Sequence, residues 1–185
     1  VMDCDGDVNY MKAAIALADR VVTVSPRYAG EILTDHFGRG MQHILRDASH
    51  KLSGILNGID TASFDPKTDR AIFANYSAAD MSGKKLCKTH LQALCGIPER
   101  DIPLIAMVTR LAQDKGIDLV QRVLYDLLSG EDVQFVLLGT GEWKYEAFFR
   151  QVSKDFSEET GIFIDFNTDL ARQIYAGADL FLMPS

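Results

Sequence analysis

From residue 102 onward the sequence alternates short, continuous apolar runs with helical segments, and that rhythm leaves few folds open. The runs at 102–109, 133–138, 162–164 and 180–183 lack the polar alternation of a half-solvated strand, so each predicts a strand buried on both faces. Between the first two lies 117–128, where Val120, Val123, Leu124, Leu127 and Leu128 form the apolar stripe of an amphipathic helix. Helices through Phe148 and Val152 and over 170–176 complete β-α-β-α-β-α-β. Strands separated by helices form parallel sheets wound with right-handed crossovers, so the expected class is α/β with a Rossmann-like sheet.

The sequence before residue 98 is less regular. Met11, Ala14, Ile15 and Ala18 recur at helical spacing, 21–24 is a β-branched strand, and Ser25-Pro26 is a helix start with a hydroxyl cap and proline at the first position. Asn57-Gly58 and Asp65-Pro66 mark turns. A helix over 84–95 places Cys87, Leu91, Leu94 and Cys95 on one side and ends at Gly96. The 96–101 connection is the expected boundary, giving segments 1–98 and 99–185. His36, His43 and His50 lie in a polar stretch without carboxylate or cysteine support, so they read as solvated surface and not as a metal site.

Composition narrows function. The 185 residues carry 19 basic and 26 acidic side chains, a net charge of −7, which argues against nucleic acid as a partner because phosphate binding needs a basic footprint. No apolar run approaches the roughly 20 residues that span a bilayer, so no membrane partner is expected. Cys4, Cys87 and Cys95 form no C-x-x-C pair, which suits small core residues in a reducing, cytoplasmic compartment. Val1 is no initiator, and the final strand stops as it leaves the sheet, so the chain reads as an internal segment of something longer.

Open parallel sheets bind ligands beyond the carboxyl ends of their strands. Three loops there are chemically distinctive. The first carries Arg110 and Lys115; the second is Gly139-Thr140-Gly141, where missing side chains let backbone N–H groups approach an anion; the third is Asp165-Phe166-Asn167-Thr168. Cations, amides and an aromatic plane suit a nucleotide diphosphate. A dinucleotide oxidoreductase would instead show G-x-G-x-x-G after its first strand, where this chain has Arg110 and Lys115.

Five stretches carry a specific resemblance: V-S-P-R-Y-A-G-E-I (24–32), L-S-G-I-L-N-G-I-D (52–60), T-R-L-A-Q-D-K-G-I-D (109–118), L-L-G-T-G-E (137–142) and A-G-A-D-L-F-L-M-P-S (176–185). In this order they resemble the bacterial glycogen synthases (starch synthase type), retaining glycosyltransferases of the two-domain GT-B fold. The resemblance implies that 1–98 ends the acceptor-side domain and makes the interdomain crossing, and that 99–185 begins the nucleotide-sugar-binding domain. It implies transfer of glucose from ADP-glucose to the non-reducing end of an α-1,4-glucan, without cofactor or metal.

Residue by residue, Arg110 and Lys115 match the family's diphosphate-binding pair and are the expected catalytic groups. Asn57 matches the asparagine of the L-N-G-x-D turn, which faces the family's interdomain cleft. Gly139, Thr140 and Gly141 match the segment beside the nucleotide. Phe166 falls where relatives often carry a tyrosine against the base, and Asn167 where some carry histidine. The family's K-T-G-G-L loop and E-P-C-G segment are not in this chain, so the segment alone is expected to be inactive. Two other readings stay open: a retaining GT-B transferase of the sucrose or trehalose-phosphate type, and a nucleotide-sugar-binding module without catalysis.

Overall fold

A computed structural model describes the backbone of residues 3–4 and 7–185 and the side chains from Val8 onward, so the expectation for Cys4 lies outside the described side chains. The chain forms two compact units, Val1–Asp60 and Thr61–Ser185. No helix among the described residues is long and apolar enough to cross a membrane.

In the first unit a short antiparallel pair, β1 (Asp3–Cys4) and β2 (Asp7–Val8), precedes α1 (Tyr10–Leu17). Asn9 caps α1 by accepting from the Lys12 N–H at 3.0 Å. At its other end Lys51 Nζ donates to the carbonyls of Ala16 and Ala18 at 2.8 and 2.6 Å, meeting acceptors that a helix terminus leaves open. Strands β3 (Val21–Val24) and β4 (Leu52–Ile55) pair in parallel. Between them α2 (Pro26–Glu31) begins at Ser25 and Pro26 as the sequence predicts, and α3 (Gln42–Asp47) follows. His36, His43 and His50 are exposed, as expected.

The second unit is a three-layer α/β sandwich. Strands β5 (Leu104–Val108), β6 (Gln134–Leu138), β7 (Thr160–Phe163) and β8 (Leu180–Phe181) form one all-parallel sheet in the order β7-β6-β5-β8. Alternate side chains of each strand face opposite layers. Met107, Phe135 and Leu137 join Ile117, Val120, Leu124 and Leu128 of α5 (Ile117–Gly130), with Tyr145, Phe149 and Val152 of α6 (Trp143–Asp155). Leu104, Ala106, Val136 and Leu138 pack with Leu91 of α4 (Ser82–Cys95) and Ile174 of α7 (Thr168–Gly177).

That second layer places α4 in the same compact unit as the sheet, Thr61–Ser185. Helix α4 is part of the sheet's own cover. Lys88 Nζ meets Asp179 Oδ2 at 2.6 Å, the same oxygen accepts the Leu104 N–H at 2.8 Å, and Gln92 donates to Gln134 at 2.7 Å inside the core. Leu94 and Val123 are exposed instead of joining their helices' apolar stripes. The inward stripes run through 83, 87 and 91 on α4 and 117, 120, 124 and 128 on α5, and both residues fall beside them.

Candidate functional site

The loops after β5, β6 and β7 open onto one cavity of about 550 Å³ within the second unit. Its lining takes Thr109 and Arg110 from the loop after β5, Gly139 and Thr140 from the loop after β6, Phe166 and Asn167 from the loop after β7, Ala171, Arg172 and Tyr175 from α7, and Phe64 from the segment before α4. Of the residues singled out from sequence, Arg110, Gly139, Thr140, Phe166 and Asn167 therefore share a single concavity. Lys115 lies on an adjoining cavity of about 180 Å³ that also touches Thr109 and Tyr175. Gly141 is outside both linings, and Asn57 is exposed in the first unit.

The two glycines serve close packing. The loops after β5 and β6 zip together: Leu111 N–H donates to Thr140 O and Glu142 N–H to Leu111 O, both at 2.8 Å. A Cβ on Gly139 would overlap the Thr109 carbonyl oxygen, and one on Gly141 the Leu111 carbonyl oxygen. Their amides are also engaged. Gly139 N–H donates to Phe163 O at 3.0 Å, and Gly141 N–H to Glu146 Oε1 at 3.1 Å. That bond from Gly141, helped by Arg150, holds the half-buried Glu146 carboxyl below its ordinary pKa. Glycine is thus required here by backbone proximity, a different reason from the anion-facing amides expected from sequence.

Both cations reach the same carboxylate. Arg110 Nη2 lies 3.0 and 3.2 Å from the Asp114 oxygens, and Lys115 Nζ lies 3.8 Å from Oδ2. Arg110, Asp114 and Lys115 are 65%, 55% and 40% exposed, so the cluster is held loosely and in water. Gly116, at φ 69°, lets the chain turn into α5; a Cβ there would sit 2.7 Å from Pro184 Cβ.

At the aromatic end Phe166 is 85% exposed, a large ring with almost no packing of its own. Asn167 caps α7 by accepting from the Leu170 N–H at 3.0 Å, so its carboxamide oxygen has a structural partner. Burial raises the Tyr175 hydroxyl pKa. Phe64, Arg172 and Tyr175 were not singled out from sequence. Arg172 and Tyr175 sit three apart on the helix that follows Phe166, which is the signal available; Phe64 precedes the Asp65-Pro66 turn, read only as a connector. Among the described residues no group of three or more His, Cys, Asp or Glu side chains is placed to hold a metal ion.

The model of the starch synthase catalytic domain matches residues 1–47. Over all of its 185 residues the chain is 48% identical to a glycogen synthase of Bacillus subtilis (strain 168), covering 38% of that protein. Against a glycogen synthase of Anaeromyxobacter sp. (strain Fw109-5) it is 49% identical, again over the whole chain and 39% of the relative. The chain belongs to the glycogen and starch synthase family. Its fold agrees with that of the catalytic domain of Starch Synthase IV from Arabidopsis thaliana, solved bound to ADP and acarbose. The TM-score is 0.88 at 37% identity, over 96% of this chain and 37% of that one. A glycosyltransferase from Rickettsia africae ESF-5 shares the fold alone, with a TM-score of 0.60 at 18% identity over 97% of this chain and 42% of the other. This segment of the family is α/β and GT-B in type, and it spans less than two fifths of the curated relatives described above.

Proposed function

We propose that this chain is part of a cytoplasmic glycogen synthase and carries nucleotide-sugar-binding machinery for transfer of glucose from ADP-glucose to the non-reducing end of an α-1,4-glucan, with retention. The observation that carries this reading is one cavity at the sheet's carboxyl edge lined by both Arg110 and the exposed Phe166, in a chain homologous throughout to glycogen synthases. The ADP and acarbose bound to the Arabidopsis relative support a nucleotide donor and a glucan acceptor.

The chemistry follows from where charge develops. The bond from the sugar's C1 to the distal phosphate oxygen breaks, a bond from C1 to the acceptor's 4-oxygen forms, and that hydroxyl's proton is released. Negative charge grows on the departing diphosphate, and fixed cations beside it favour the transition state over the ground state. Arg110 and Lys115 fill that role. Their present partner Asp114 is exposed, and such pairs contribute only about 0–1 kcal/mol, so a diphosphate displaces it at little cost. Phe166 offers its face to the base, Gly139 and Thr140 shape the wall beside the nucleotide, and Asn57 and Asn167 keep the donor-binding roles the resemblance implies. Basic side chains, with no metal or cofactor, neutralise the leaving group in this reading.

The test is incorporation of glucose into glycogen by the full-length protein, with ADP-glucose and UDP-glucose compared. Transfer from ADP-glucose that collapses in both Arg110→Ala and Lys115→Ala supports the reading. Nucleotide binding without transfer makes the protein a binding module, and transfer to an acceptor other than an α-glucan overturns the substrate assignment.

A further inference from the structure

The cavity's aromatic end has a wall contributed from outside the sheet's own loops. Segment 61–76 is anchored on α4 and α7, with Ile72 against Cys87 and Ala176, and a Cys87 Sγ to Ala74 carbonyl contact at 3.1 Å. From it Phe64 reaches the cavity while remaining 57% exposed. An exposed ring is normally free to rotate, but this one is backed by charge. The Arg172 guanidinium lies 5.1 Å from the ring centroid, and Arg172 Nε donates to Asp69 Oδ2 at 2.8 Å. Asp69's side chain is only 7% exposed and Arg172's 24%, and Asp69 Oδ1 also accepts the Ala71 N–H at 2.8 Å. Removing one partner of a pair so little solvated leaves a charge without compensation, so the guanidinium plane is fixed where a surface arginine's would not be.

We propose that Phe64, held by the Arg172–Asp69 pair, is a second aromatic wall of the nucleoside end of the cavity, opposite in chain origin to Phe166. Segment 61–76 is then a determinant of donor selection. This rests on the donor-site reading above. Phe64, Phe166 and Tyr175 all line the cavity, and Phe64 and Tyr175 share a further recess of about 80 Å³ that Arg110 does not line. Flat apolar faces recognise a base, whereas they offer nothing to a diphosphate. Arg172 is a positioning residue: it acts on the ligand through the ring it backs.

The experiment measures calorimetric affinity of the full-length protein for ADP and for inorganic pyrophosphate, which lacks the base. Phe64→Ala should weaken ADP binding about three- to ten-fold, as loss of one stacking face does, and leave pyrophosphate unchanged. Phe64→Trp should retain ADP affinity. Arg172→Gln should reproduce the ADP loss, and the double variant should add little to either single one, because coupled residues are not additive. In turnover the effect should fall on donor KM and spare kcat. Unchanged ADP affinity in Phe64→Ala, or equal losses for ADP and pyrophosphate, overturns the inference. If Arg110→Ala weakens both ligands while Phe64→Ala weakens neither, the donor site stands and the second wall falls. If the wild-type protein binds neither ligand, the donor site falls and the inference with it. Phe64 is exposed, so its variant keeps the test valid even if Arg172→Gln fails to fold.

Discussion

Gly139 is closed against Thr109: a Cβ added to Gly139 would overlap the Thr109 carbonyl oxygen at the mouth of the cavity. Gly139→Ala therefore has to push the loop after β6 away from the loop after β5. Overpacking of this kind typically costs about 1–3 kcal/mol. Chemical denaturation should show that loss, with a matching decline in nucleotide affinity. Gly130, whose Cβ would meet nothing, is the control, and Gly130→Ala should leave both quantities unharmed.

Arg110 and Lys115 separate stability from turnover. Their contacts with Asp114 are exposed, so Arg110→Ala and Lys115→Ala should each change stability by no more than about 1 kcal/mol. Each should nevertheless lower kcat about 10²–10³-fold, the usual effect of deleting a preorganised charge-stabilising donor. Steady-state kinetics beside thermal melts of the same samples checks both halves. Near-normal kcat in both variants would reduce the pair to surface electrostatics.

Phe166→Ala tests the exposed ring. At 85% exposure it holds nothing in place, so its melting temperature should match the parent's. Donor KM should rise several-fold, since stacking is worth about 0.5–1.5 kcal/mol. A falling melting temperature with unchanged donor KM would assign the ring to packing.

Cys95 carries a pH dependence. Burial pushes its thiol pKa from 9.0 up to about 12. A raised native pKa means that the unfolded chain ionises first, so this group's contribution is whole below pH 9 and is lost progressively as pH climbs from 9 toward 12. In the native protein at pH 8.5, iodoacetamide should leave Cys95 unmodified while labelling it in urea. Residue-resolved mass spectrometry reads the difference.

The fold was legible where the signal is periodic. The four strands of the second unit, helices α4 to α7 and the parallel topology follow from continuous apolar runs, helical stripes and the Gly96 terminus. Leu180 and Phe181 of β8, however, are exposed where burial on both faces was expected, because β8 is the outer strand of the sheet. What escaped depends on neighbours distant in sequence. That α4 covers the sheet rests on Gln92 meeting Gln134 and Lys88 meeting Asp179, 42 and 91 residues away, which no local pattern announces. At the candidate site the cations and Phe166 were legible because their loops follow strand ends. Phe64 was not, because its place in the cavity depends on Arg172, and Arg172's on Asp69, 103 residues distant. Gly139 and Gly141 were noticed for glycine's freedom, but the carbonyls of Thr109 and Leu111 that demand it are visible only in three dimensions.

The bond between Leu104 and Asp179 also bears on how the sheet is completed during synthesis. Strand β5 has β6 on one side, met soon after it in the chain, and β8 on the other, introduced by Asp179, 75 residues beyond Leu104. Strands β5, β6 and β7 can therefore assemble while one flank of β5 is still bare. Closure of that flank waits for Asp179, whose backbone and carboxylate both bond to Leu104, one of them at 2.9 Å and the other at 2.8 Å. Pairings of such sequence separation are slow to form, so a nascent chain paused short of residue 179 exposes β5 as an open sheet edge. That interval is when a chaperone is most needed, and a translational pause placed just before this stretch would lengthen it.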